Sequence, residues 1–465
     1  MSRILGRKLE LGLLLLVTAV IAVALVSLEL SQGNALTTEM AWIIGGFIGV
    51  FALAHIVIKF AAPYSDQIIL PVVAALNGLG LVMIYRIDIA NETNLASRQV
   101  MWTLVGVVLL IATLIIVADH KVLSRFSYIL GLVGLVLLAL PLVWPQPGGD
   151  EFADARIWIT IGPFSVQPSE FSKILLLMFF AQLLAQKRAL FTVAGYRFLG
   201  LEFPRLRDLA PILVVWAIAI LIMAISNDFG PALLLFATVL GMVYFATGRA
   251  AWLVIGLGLV AIGASAVYAV SDKIQSRVAN FLDPIATYHD VGGGHQLAQS
   301  LFGQAWGGIT GTGLGMGYPS EVPVAHSDFI LAAIGEELGL FGLGAVLILF
   351  GILIARGFGA AMNVRDSYGK LLASGLALTI AIQIFVVMGG VSGLLPMTGL
   401  TTPFMSAGGS SLMANYILVA ILLRISNGAR KPAELDSAQQ QAPGTNLFPA
   451  AGPASSNASN AEVAR

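Results

Sequence analysis

Apolar windows recur from one end of the chain to the other, and the polar positions fall between them rather than inside them. A helix crossing a bilayer core needs about 20 apolar residues. The pattern predicts twelve such helices, near residues 11–30, 41–60, 67–85, 100–118, 126–144, 171–187, 210–226, 231–247, 252–270, 328–355, 368–392 and 404–427. These runs are continuous, whereas a membrane barrel would show short alternating strands. The first run is too long for a signal-peptide core and lacks a cleavage site, so it reads as an uncleaved span. The seventh and eighth are short and separated by Ser226-Asn227-Asp228-Phe229-Gly230-Pro231. Pro after Gly ends or kinks a helix, and the pair is short enough to be partly re-entrant. The expected fold is all-α: a polytopic membrane domain over 1–427, with a large extracellular loop at 271–327 between the ninth and tenth spans.

The longest polar interruption runs from Asp272 to Glu337. It contains Arg277, Phe281-Leu282-Asp283-Pro284, Gly292-Gly293-Gly294-His295-Gln296, Gln299-Ser300, a glycine-dense patch from Gly307 to Gly317, and His326-Ser327-Asp328. Chemistry on water-soluble groups belongs in such a segment. Residues 428–465 are rich in Ala, Pro, Ser, Asn and Gln, cannot bury a core, and read as a disordered cytoplasmic tail.

Composition agrees with the pattern: 58% of residues are hydrophobic and 11% charged, against roughly 25% charged in soluble domains. The formal net charge is zero, which argues against a nucleic-acid partner. The chain has no Cys, which excludes disulfides, thiolate catalysis and palmitoylation. With the N-terminus in the cytoplasm, twelve spans return the C-terminus there and put 19 of the 25 Lys and Arg residues inside. That positive-inside bias places the Asp272–Glu337 loop outside the cell. No internal repeat supports a transporter of paired halves.

Ionisable groups at membrane depth are costly and point to function. Glu170 and Lys173 lie three apart at the mouth of the sixth span and share a helix face; a helix cap with a local ion pair explains them equally well. Asp228 stands in the break between two spans, where Asp also caps helices. Asp328 opens the expected tenth span, and positions 328, 332, 335 and 336 form one stripe with an acid at each end. Asp283 before Pro284 reads as a turn. Several motifs fail: Gly311-Thr312-Gly313-Leu314-Gly315-Met316-Gly317 lacks the strand-to-helix context of a dinucleotide site, the five histidines lack metal-ligand spacing, and there is no nucleophile elbow.

Taken together, an ordered set of motifs resembles the SEDS family of polytopic bacterial cell-wall proteins. The set is Ala155-Arg156-Ile157-Trp158-Ile159, Gln167-Pro168-Ser169-Glu170-Phe171-Ser172-Lys173, Asp228-Phe229-Gly230, Leu282-Asp283-Pro284 with Gly294-His295-Gln296 and Gln299-Ser300, His326-Ser327-Asp328-Phe329-Ile330 with Gly335-Glu336-Glu337-Leu338-Gly339, and 393–411. It covers roughly 150–428. Within the family the chain most resembles the RodA proteins of actinobacteria, which carry two extra N-terminal spans. It departs from the family at Pro231, where Thr is commoner, and at Ala407, where Tyr is commoner, while keeping the acid and the glycines.

The resemblance implies peptidoglycan polymerisation from lipid II at the outer face of the bacterial plasma membrane, during elongation. It implies Asp328 as catalytic base, and Arg156, Lys173 and Arg277 as cations for the lipid diphosphate. Glu170 would orient Lys173, Asp228 would anchor structure or help bind a divalent cation, and Asp283, Gln299 and Glu336 would shape the substrate site. The implied partners are a class B penicillin-binding protein and other elongation-complex membrane proteins. The competing readings are a lipid II flippase, a division polymerase of the FtsW kind, and a scaffold for a penicillin-binding protein. The outward clustering of the candidate residues favours polymerisation over flipping.

Overall fold

The computed structural model describes residues 6–33, 37–145, 156–162, 164–192, 196–198, 201–203, 206–290 and 292–432. In chain order the helices are α1 (Lys8–Ser31), α2 (Thr38–Ala61), α3 (Ile69–Asn91), α4 (Leu95–Ile116), α5 (Lys121–Arg125) and α6 (Ser127–Val143). Next come the antiparallel hairpin β1 (Ile159–Ile161) and β2 (Phe164–Val166), then α7 (Pro168–Thr192), then the hairpin β3 (Tyr196–Phe198) and β4 (Leu201–Phe203). They are followed by α8 (Leu206–Ile225), α9 (Phe229–Thr247), α10 (Ala251–Val270), α11 (Asp272–Leu282), α12 (His295–Gly307), α13 (Ile330–Glu337), α14 (Gly339–Asn363), α15 (Ser367–Val391) and α16 (Gly409–Arg430).

Among the described residues ten helices are long and apolar enough to cross a membrane, and Ser127–Val143 and Ile212–Ile225 are shorter apolar stretches. Together they account for the twelve expected spans, and the chain is a multi-pass membrane protein. The seventh and eighth spans, α8 and α9, are helices of 20 and 19 residues. The expected tenth span needs correction. Asp328 does not open it: α13 is a separate buried helix, and the span proper is α14. The chain breaks at Gly339, where φ is +64°, a conformation other residues adopt only with strain. The last helix continues to Arg430, past the expected boundary at 427. From residue 433 the expected tail lies outside the described residues.

α3 and α16 form the centre, with 89% of their apolar windows buried, whereas only 6% of the α10 window is buried. Lipid tails are as apolar as Leu, so burial alone does not hold such helices together; close packing and polar links do. Arg424 on α16 donates to the Ala61 carbonyl at 2.9 Å and also to the Leu114 carbonyl. Asn77 on α3 donates to the Phe404 carbonyl at 3.0 Å. The hairpin of α1 and α2 is pinned by the buried Arg7–Glu10 pair, by His55 Nδ1 at 2.6 Å from Glu10 Oε1, and by Arg7 donating to Ser65 Oγ at 2.9 Å.

Candidate functional site

The candidate residues gather where α7, α9 and α16 begin and α15 ends. Asp328 sits in the loop just before α13. Ser406 Oγ donates to the Ser327 carbonyl at 2.7 Å, and the Ala407 N–H donates to the His326 carbonyl at 2.8 Å. The 402–411 motif therefore fixes the backbone of the His326-Ser327-Asp328 motif. Ser327 Oγ donates to Asp328 Oδ1 at 3.0 Å. Burial pushes the Asp328 carboxyl above its ordinary range, while Ser327, Arg277 and His326 hold it down. Burial lowers His326, against the fields of Asp88 and Asp328. A carboxylate raised in this way is a stronger base than one in water.

Asp328 faces a cavity of about 950 Å³, large enough for an extended ligand. One wall is a single face of α11, carrying Lys273, Ser276, Arg277 and Asn280 at helical spacing. Arg277 Nη1 lies 3.5 Å from the Thr398 carbonyl. A Cβ built on Gly399 would stand 3.8 Å from both Arg277 Nη2 and Asp328 Oδ2, and φ at Gly399 is +72°. Tyr288 also lines it, and Gln299 Nε2 donates to its hydroxyl at 2.7 Å. Gln299 thus acts on the cavity through Tyr288. Asp283 is exposed and does not line the cavity; its Oδ1 accepts from the N–H groups of Ile285 and Ala286, at 3.2 and 2.9 Å, as a turn residue does.

A second cluster lies beside the first, across the extended 396–402 segment. Glu170 and Lys173 are both buried, with Lys173 Nζ 2.7 Å from Glu170 Oε2. They line a cleft of about 10 Å³, room for about one water. Asp228 and Arg156 line another cleft of the same size, and Ser169 and Met223 belong to both. Asp228 is pushed up to about 6 by burial first and by Glu170 second, against the pull of Lys273 and Arg277. The two α11 cations therefore act on Asp228, and Arg277 on Asp328 as well. The 396–402 segment closes against α9 at Gly230, where a Cβ would stand 2.5 Å from the Thr398 carbonyl; only glycine admits that approach. Asp328 and Lys173 thus stand on opposite sides of this segment, in different cavities.

Glu336 belongs to neither cluster. Its Oε1 accepts the Tyr318 N–H at 2.5 Å. Glu337 pairs with Arg86 of α3 at 2.8 Å and accepts the Gly315 N–H at 3.0 Å. The glycine-dense patch is thus a wrapping for α13: Thr312 and Gly313 donate to the Glu336 and Glu337 carbonyls at 3.0 Å each. The expected stripe from 328 to 336 does not line one surface. Sequence reasoning passed over Lys273, Gln383 and the Arg86–Glu337 pair. Gln383 carried a signal, as a lone amide between Ile382 and Ile384 in an apolar run. Among the described residues, no group of three or more His, Asp or Glu side chains is placed to hold a metal ion.

The family model described as cell cycle protein (FTSW_RODA_SPOVE) matches residues 66–431. It begins after α1 and α2. The peptidoglycan glycosyltransferase RodA of Mycobacterium tuberculosis is 50% identical over 432 residues, 92% of each chain. Its namesake in Mycobacterium leprae is 49% identical over 436 residues, 92% of this chain and 91% of that one. Stage V sporulation protein E of Bacillus subtilis is 32% identical, over 78% of this chain and 98% of its own. A solved chain from a study of polymerization and crosslinking by a peptidoglycan synthase complex superposes with a TM-score of 0.63 at 27% identity, covering 79% of this chain and 99% of that one.

Proposed function

The chain belongs to the FtsW, RodA and SpoVE family of cell cycle proteins, and from that premise we propose how its site works. The activity is that of a peptidoglycan glycosyltransferase. The substrate is lipid II, a disaccharide-pentapeptide on a polyprenyl diphosphate. Asp328 takes the proton of the acceptor hydroxyl, whose oxygen bonds to the donor's anomeric carbon. The bond from that carbon to the phosphate oxygen breaks, and the lipid diphosphate leaves with the electron pair. Charge develops on that diphosphate, and Arg277 with Lys273 on α11 is placed to stabilise it at the same cavity. Arg156 lies beside Asp228 in the second cluster, behind that cavity. Lys173 is committed to Glu170 and serves the site from behind.

The observation that carries this reading is the shared cavity of Asp328, Lys273 and Arg277, a base and two cations on one wall of a space of about 950 Å³. A flippase would need an unsatisfied polar route through the bundle. Glu170 and Lys173, and Arg7 and Glu10, are instead buried as ion pairs. The basic-residue bias puts both termini in the cytoplasm and the cavity at the outer face. The identity near 50% to RodA proteins, against 32% to the sporulation relative, favours a role in elongation. The neighbour from a synthase complex supports a penicillin-binding transpeptidase as partner. The test is polymerisation of labelled lipid II by the purified protein, with and without that transpeptidase. Glycan polymer from the wild type and none from folded Asp328→Ala supports the reading; polymer from both removes Asp328 from the mechanism.

A further inference from the structure

We propose that Gln383 is a positioning residue for glycosyl transfer, carrying the location of the buried Glu170–Lys173 pair to the segment that separates the two clusters. The inference rests on the reading of Asp328 as the base. Gln383 lies in the apolar middle of α15 and is 1% exposed. An amide in such a place is costly unless both of its ends are satisfied. Both are: its Oε1 accepts from Lys173 Nζ at 3.3 Å, and its Nε2 donates to the Thr401 carbonyl at 2.8 Å. Lys173 in turn donates to Glu170 at 2.7 Å. A chain of three side chains thus runs from α7 through α15 to the backbone at Thr401.

That backbone shapes the cavity. Two and three residues before Thr401, Gly399 lies against Asp328 and Arg277, and the Thr398 carbonyl receives Arg277. The same carbonyl closes on Gly230, two residues after Asp228. Moving Thr401 therefore moves the floor on which base and cation are set. Gln is suited to the task because one short arm offers an acceptor and a donor together. Leu has neither, and Glu offers only acceptors when ionised. Gln383 does not line the large cavity, so its effect on catalysis is indirect.

The test is steady-state polymerisation of lipid II by wild type, Gln383→Ala and Gln383→Glu in one detergent, with thermal unfolding of each. Gln383→Glu keeps an acceptor for Lys173 and, ionised, removes the donor to Thr401, which frees the segment. Both variants are expected to lose about 10–100-fold in kcat, the scale of a misplacement near 1 Å. KM for lipid II is expected to stay within about threefold, because the displacement acts on the placement of base and cation for the transfer, while the α11 face and Tyr288 that also line the cavity are not in the hydrogen-bond chain. Should Gln383→Ala not fold, Gln383→Glu decides. A folded Gln383→Glu with kcat within twofold of wild type overturns the proposal, and so does a loss confined to KM. If polymerisation by the wild type does not depend on Asp328, it is the underlying reading that fails.

Discussion

The Arg86–Glu337 pair allows a prediction whose size follows from the geometry. Arg86 is 6% exposed and Glu337 fully buried. Arg86 Nε lies 2.8 Å from Glu337 Oε1, Arg86 Nη2 donates to the Gly317 carbonyl at 2.7 Å, and Gly315 N–H donates to Glu337 Oε2 at 3.0 Å. Removing one member of a buried pair strands the other, at a cost of about 3–5 kcal/mol. Arg86→Met and Glu337→Gln should each destabilise on that scale. The double variant removes both charges and keeps an acceptor for Gly315. It leaves chiefly the Gly317 carbonyl unmet, at about 1–3 kcal/mol. The two costs should therefore couple by at least about 2 kcal/mol. Denaturant-driven unfolding in mixed micelles, followed by tryptophan fluorescence, measures this. Costs that add within about 0.5 kcal/mol would refute the reasoning, since the pair would then not be a buried, desolvated one.

Four further outcomes are expected. Asp228→Asn should lower polymerisation and raise the thermal stability at pH 7. The folded carboxyl, raised from 3.8 to about 6 by burial, is penalised when ionised; stability falls as pH rises through that window, and the neutral amide escapes the penalty. A melting temperature that drops instead contradicts the burial reading. In wild type the acid limb of kcat should lie above 3.8, because the base works ionised and burial raises its carboxyl; a limb at or below that value excludes Asp328 as the group observed. Gly399→Ala should cost roughly tenfold or more in kcat, through backbone strain at φ +72° beside Arg277 and Asp328, and wild-type kinetics would show that the segment adopts this conformation without cost. Glu170→Gln should destabilise by about 3–5 kcal/mol by leaving Lys173 buried beside a neutral partner; unchanged unfolding would mean that water reaches the pair.

The twelve spans were legible because lipid imposes a length and an apolar composition that any run of residues must display. Asp328, Glu170, Lys173 and Asp228 stood out as candidates for the complementary reason: charges in or beside such runs must be explained. Arg277 entered through the family resemblance alone. What stayed hidden depends on which residues meet across the fold. The tenth span seemed to begin at Asp328 because Ile330–Ile334 is apolar, yet those residues are buried as α13 inside the protein end of the bundle, and Gly339 makes the break. Glu336 sat at helical spacing from Asp328, but the patch around Gly317 and Tyr318 claims its carboxylate. Lys273 sits in a polar loop where a charge needs no explanation, and only the α11 helix turns it toward the same cavity as Arg277. Asp283 proved to be the turn residue that its neighbour Pro284 suggested.

The most direct test of Asp328 as the base separates binding from chemistry. Single-turnover polymerisation of labelled lipid II by wild type and Asp328→Asn would be measured at saturating substrate, with lipid II affinity measured in parallel. Asn keeps the shape of Asp328 and its bond from Ser327 but cannot take a proton. The expected result is unchanged affinity and a chemical step slower by about 10²–10⁴-fold, the contribution of a general base. A step within tenfold of wild type, or a loss that follows affinity alone, would contradict the assignment and leave Asp228 as the acid to examine.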